Sequence, residues 1–143
     1  MAQPYISIAV LGSRSLQKRF DRFEKNVQKK IVRQALRAAA RPMLVAAKAK
    51  VPVDTGRLKK SLRLRALKQR RGIFGVQVRT GTRAELGIWI GDKTGYYPAS
   101  VEWGHGSVPA RPYLRPAFDE TRDEALRILK AYLRRAIKEV RPA

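Results

Sequence analysis

No cysteine occurs in the chain, which excludes disulfides and thiolate metal sites. Histidine occurs once, as His105, so histidine-built metal centres and histidine proton relays are excluded too. No apolar run approaches the roughly 20 residues needed to cross a bilayer. The uncharged start, residues 1–13, has no basic flank of the kind a secretory leader carries. A mature N-terminus is therefore expected, in a soluble intracellular or virus-assembled product. G-x-x-x-x-G-K-[ST], G-x-S-x-G and zinc or calcium ligand spacings are all missing, as is the aromatic-basic interleaving of RNA-recognition modules. No cofactor is expected.

Acids are scarce. The 143 residues hold 11 Asp and Glu against 32 Lys and Arg, a net charge of +21. The imbalance is concentrated: residues 1–83 hold 22 Lys and Arg against 3 acids, and residues 84–143 hold 10 against 8. A field of that size either meets a polyanion or an acidic partner, or repels itself on a merely solvated surface. The length suits one domain spanning 1–143, able to bury roughly 68% of its unfolded surface.

Periodicity predicts an α+β order. Tyr5 to Leu11 is rich in β-formers and reads as a short strand. Leu16, Phe20, Phe23, Val27, Ile31 and Ala35 then fall on one face of a helix running from Ser15 to about Lys50, with Pro42 bending or dividing it. Residues 51–62, "VPVDTGRLKKSL", stop that helix. Pro52 excludes helix at Val51, Asp54 or Thr55 is placed to cap a new turn, and Gly56 allows a backbone angle that a side chain resists. Three strands of an antiparallel meander follow: Leu62, Leu64 and Ala66; Phe74, Val76 and Val78; Leu86, Ile88 and Ile90. The opposite face collects Arg63, Arg65 and Arg79 with Lys68, Arg70 and Arg71 of the turn, and Lys59 and Lys60 precede them. These eight cations are the candidate surface for DNA or an acidic partner. A partly helical segment is expected around Pro98 to Trp103. A final helix from Arg115 to Val140 packs on the sheet through Leu126, Leu129, Leu133 and Ile137, with Asp119, Glu120, Asp123 and Glu124 in its first turns.

Glu102 and His105 are the only pair suggestive of acid–base work, and nothing nearby supports them. The plainer reading has Glu102 binding backbone amides or a neighbouring arginine, with His105 a loop residue between two glycines.

Two stretches read together resemble a family. "PVDTGRLKKSL", residues 52–62, and "YYPASVEWGHGSVPARPYLRPAFDE", residues 96–120, are similar to the gene-product-ten-like tail-completion proteins of long-tailed phages. These are also described as head–tail joining or neck proteins, related to the minor tail protein Z group. The matching positions are Pro52, Asp54, Thr55, Gly56, Leu58 and Ser61 in the first stretch. In the second they are Glu102, Gly104, Pro109, Ala110, Pro112, Tyr113, Leu114, Pro116, Ala117 and Phe118.

The resemblance implies a non-catalytic virion subunit, made in the host cytoplasm, in a homo-hexameric ring at the neck. Its partners would be head-side stopper or adaptor proteins and the tail tube or its terminator, with packaged double-stranded DNA passing through and no membrane involved. Two alternatives remain: a tail terminator, and a free nucleic-acid-binding protein without sequence preference. The run "PARPYLRPAF" reads equally as an interface and as an internal brace for the last helix.

Overall fold

Ile31, Ala35, Ala39, Met43 and Ala47 recur at helical spacing and are buried, which places one side of a long helix against a core. The computed structural model describes residues 5–8, 18, 25–71, 73–87 and 97–139. Their order is β1 (Tyr5–Ile8), α1 (Lys25–Lys50), α2 (Arg57–Ser61), β2 (Arg63–Ala66), β3 (Val76–Arg79), α3 (Tyr97–Trp103) and α4 (Leu114–Glu139). This is the expected α+β architecture. The start of the long helix, residues 15–17 and 19–24, lies outside the described residues. Pro42 sits inside α1 without dividing it.

The strands form one antiparallel sheet in the order β1-β3-β2. Leu64 pairs with Val78 and Ala66 with Val76, so the predicted alternation holds and the valines face the helices. The sheet departs from a simple meander. Its third strand is β1, which pairs Ile6 with Val78 across the other edge of β3. Leu86, expected to begin a third meander strand, lies in a helical turn, and residues 88–90 lie outside the described residues.

α1 and α4 run antiparallel, each 26 residues long. Two clusters fill the space between them and the sheet. One joins Met43, Ala47, Val51, Leu58, Leu62 and Val78 to Tyr113, Leu114 and Ala117. The other joins Ala35, Leu36, Ala39, Ala40 and Val76 to Ala125 and Leu129. The buried stripe of α4 is therefore Leu114, Ala117, Thr121, Ala125 and Leu129. Leu126, Leu133 and Ile137, predicted to lead it, lie half-buried at its margin. Alanine carries little weight in a hydrophobic pattern, yet alanines on both helices let the backbones approach closely. Among the described residues no helix is long and apolar enough to cross a membrane.

Leu62 is 2% exposed at the junction of α2 and β2. Leu62→Ala is expected to cost about 2–5 kcal/mol in chemical denaturation, because the void cannot fully collapse. Val45→Ala, at a position 67% exposed, should change stability by less than about 0.5 kcal/mol.

Candidate assembly interface

The turn after α1 works through its backbone. Gly56 is the N-cap of α2, at φ 74° and ψ 0°, and no side chain caps that helix. This corrects the expectation that Asp54 or Thr55 caps it: both are exposed, and a left-handed cap turns their side chains away from the free amides. Only glycine takes that angle without cost. Leu58 then enters the core at 4% exposure, and the Ser61 hydroxyl donates to the Leu58 carbonyl at 2.8 Å. Pro52 is half-buried.

Residues 82–87 form a helical turn closed by a reciprocal pair. The Thr82 amide donates to Glu85 Oε2 at 2.7 Å and the Glu85 amide to Thr82 Oγ1 at 3.4 Å. This is a capping box, and its T-x-x-E signature was there to be read in the sequence. The same carboxylate holds Arg63, with Nη2 2.7 Å from Oε1. The Thr82 amide and the Arg63 guanidinium together hold the Glu85 carboxyl below its usual range.

Of the eight cations on the candidate surface, Lys59, Lys60, Arg63, Arg65, Lys68, Arg70 and Arg71 are exposed. Arg79 is not. It is 7% exposed on the central strand, in register between Tyr5 and Arg63, and its Nε donates to the Thr80 carbonyl at 3.2 Å. The arrival of β1 on the far side of β3 makes its strand the central one of the sheet.

The second stretch is organised by one carboxylate. Glu102, on α3, is 1% exposed. Its Oε2 accepts from the amides of Tyr113 and Leu114 at 2.8 and 2.9 Å, and its Oε1 from the amide of Arg115 at 3.1 Å. These are orphan donors at the start of α4. The negative charge sits where the helix dipole is positive, and the Arg115 Nε, 3.3 Å from Oε1, completes its neutralisation. The Asp119–Glu124 acids lie one or more turns further on, because α4 begins at Leu114. Both oxygens of Glu102 are committed to amides and to Arg115, which is the plainer of the two sequence readings and leaves no free lone pair aimed at a cleft.

Between α3 and α4 the chain is tied into a short strap. The Gly104 amide donates to the Ser100 carbonyl at 2.8 Å, His105 and Val108 exchange backbone bonds at 3.1 and 2.9 Å, and the Arg111 amide donates to the Val101 carbonyl at 2.7 Å. Gly104 has φ 79°, and a Cβ there would stand 3.0 Å from the Ala110 nitrogen. His105 is exposed at the tip. The run "PARPYLRPAF" is divided by this arrangement. Pro109, Ala110 and Pro112 are exposed; Tyr113, Leu114 and Ala117 are buried; Pro116 and Phe118 are half-buried. The first part is an exposed edge, with Trp103 52% and Val108 61% accessible beside it, and the second part is the brace.

Leu58 of the first stretch meets Tyr113, Leu114 and Ala117 of the second in one core cluster. Thus two segments some fifty residues apart in sequence build a single corner of the molecule. Comparison with known proteins then decides the family. A family model described as "Bacteriophage HK97-gp10, putative tail-component" matches residues 14–106. The chain belongs to this HK97-gp10-like family. The match takes in the Gly56 turn and ends within the strap, so the gp10-like region includes Glu102 and Gly104 while the brace lies beyond it. No curated protein matches the chain, and no solved structure does.

Removing the Glu102 carboxylate should unseat α4. Glu102→Ala is expected to cost about 3 kcal/mol or more, since it strands several buried amides; Glu102→Gln, which keeps one acceptor, should cost less. Urea titration of both variants measures this. For Glu85, a folded pKa lowered from 4.5 means a stabilising contribution present above that pH and lost as pH falls below it. The stability gap between the protein and Glu85→Gln should therefore narrow steadily in denaturation experiments taken downward from pH 5.

Proposed function

We propose that the protein is a structural subunit of a ring at the phage neck, joining the stopper or adaptor proteins of the filled head to the tail tube and leaving a passage for double-stranded DNA. Membership of a tail-component family supplies the setting. The observation that carries the reading is the exposed apolar edge from Trp103 to Pro112, held rigid by Gly104 and by Glu102. Exposed tryptophan and proline on an ordered loop suit a protein contact: the aromatic side chain supplies buried area, and a loop already fixed loses little entropy on docking. In a ring, such an edge meets a different surface on the next copy, and closure sets the copy number, here six to match the tail tube. The subunit acts through shape and surface charge, first in the host cytoplasm and then in the virion, without catalysis.

A tail terminator is the neighbouring role, and particle morphology separates the two. Loss of a joining protein leaves filled heads beside complete separate tails. Loss of a terminator leaves tails of uncontrolled length. Electron microscopy of a phage lacking the gene is expected to show the first; joined, infectious particles would refute both roles. Trp103→Asp should reduce joined particles at least tenfold while leaving the melting temperature of the purified subunit within about 3 °C of the parent, since the side chain is half in solvent.

A further inference from the structure

Three basic segments, distant in sequence, converge at one end of the molecule. α1 and α4 are antiparallel: Lys50 meets Glu120 at 2.6 Å at one end, and the Tyr132 hydroxyl donates to Gln34 at 3.1 Å toward the other. The first half of α1 exposes Lys25, Lys30, Arg33 and Arg37. Beside it, the second half of α4 exposes Arg127, Lys130, Arg134, Arg135 and Lys138. The β2–β3 hairpin points the same way. Val78 packs with Met43 and Ala47, whereas Val76 and Phe74 pack with Ala35, Leu36 and Ala39. Its tip, with Lys68, Arg70 and Arg71, therefore continues toward the Lys25 end of α1.

Among the described residues the acid at this end is Glu139, which Arg135 already holds at 2.7 Å. Glu85, Glu102, Asp119 and Glu120 lie toward the opposite end, while Asp123 and Glu124 stand near the middle of α4, one turn before Arg127. None of the other cations of this end is in an ion pair among the described residues.

We propose that this end is a binding surface for the phosphate backbone of duplex DNA, without sequence preference. The assignment rests on the neck reading for the identity of the polyanion, and it moves the contact away from the sheet face of Arg63 and Arg65 to the helix ends. Magnitudes favour DNA over a second copy of the chain. Among the described residues another copy offers the exposed Asp54, Glu85, Asp119, Glu120, Asp123, Glu124 and Glu139, of which Glu85, Glu120 and Glu139 are paired with Arg63, Lys50 and Arg135 and Asp123 lies 3.8 Å from Arg122. Too few carboxylates remain for so many cations. Duplex DNA offers a charge about every 1.7 Å of its axis, and Lys25 to Arg37 alone spans about 18 Å of helix, matching roughly ten phosphates. The surface carries no exposed aromatic side chain among the described residues, so it lacks the stacking platforms that single strands require.

Fluorescence anisotropy of the full chain with a 30-base-pair duplex of arbitrary sequence, from 50 to 300 mM NaCl, tests the assignment. Arg33→Glu/Arg37→Glu and Lys130→Glu/Arg134→Glu are the test pairs. Lys59→Glu/Lys60→Glu is a control of equal charge change at the other end of α1, about 20 Å away and beyond the screening length of about 8 Å. Each test pair should raise Kd at least tenfold at 100 mM salt and lower the slope of log K against log salt by about 2; the control should raise Kd less than threefold. Arg33→Gln/Arg37→Gln should weaken binding in the same direction with an unchanged melting curve, which separates lost contact from lost folding. Equal weakening by the control, no effect of the test pairs, or no binding at 50 mM salt would overturn the assignment. The head–tail joining role is judged separately, by the particles formed without the gene, so each reading can fail while the other stands.

Discussion

A buried carboxylate from one helix, seated on the first amides of another, is the constraint on which the rest of this molecule depends. Glu102 joins α3 to α4 across the strap. An ionised side chain at 1% exposure is tolerable because each oxygen has donors and because the helix end and Arg115 both supply positive charge. The bond set fixes where α4 starts. That start positions Tyr113 and Ala117 in the core beside Leu58, and with them the angle at which the Gly56 turn leaves α1. The exposed strap inherits its rigidity from the same anchor.

Charge is the second organising feature, and it is arranged along the molecule rather than spread over it. Among the described residues most acids gather toward the end where α1 finishes and α4 begins, close to Lys50 and Arg115, and at the opposite end Glu139 is paired with Arg135. Cations sit where the dipole favours them at the C-terminal ends, as Lys48 and Lys50 do in the last turn of α1 and Lys138 in that of α4, whereas neither helix has an acid in its first described turn. The +21 total understates the local field, because much of the compensation is concentrated at the other end.

Much of the architecture was legible from periodicity. The Ile31–Ala35 stripe, the alternation of Leu64, Val76 and Val78 and the extent of α4 follow from patterns of 3.6 or 2, while the short helix ending at Trp103 was expected from an apolar stretch too long for a linker. What escaped is what periodicity does not encode. The strand at residues 5–8 was expected, but its pairing with the far edge of β3 was not, because long-range pairing leaves no local signature. The alanine face of α4 was passed over in favour of Leu133 and Ile137, since a methyl contributes little to a hydrophobic count however closely it packs. Thr82-x-x-Glu85 carried a readable capping signal that the apolar run after it obscured. Glu102 was open to two readings, and the geometry selects the amide-binding one. The basic end is assembled from residues 25–37, 68–71 and 127–138, a proximity only the folded chain creates.

The alanine seam between α1 and α4 also limits how this subunit can drift. Ala35, Ala39, Ala40, Ala117 and Ala125 bring the two backbones close, with a void of only about 10 Å³ beside Ala39, Ala40 and Ala125, so side chains much larger than alanine would lever them apart and splay both tips at once. Neutral change at these positions is confined to small residues, whereas exposed positions outside the pinned strap are freer to change chemistry. Lineages descending from such a subunit should thus keep a monotonous, small-side-chained spine while their outward features diversify to follow whatever neighbours each virion presents.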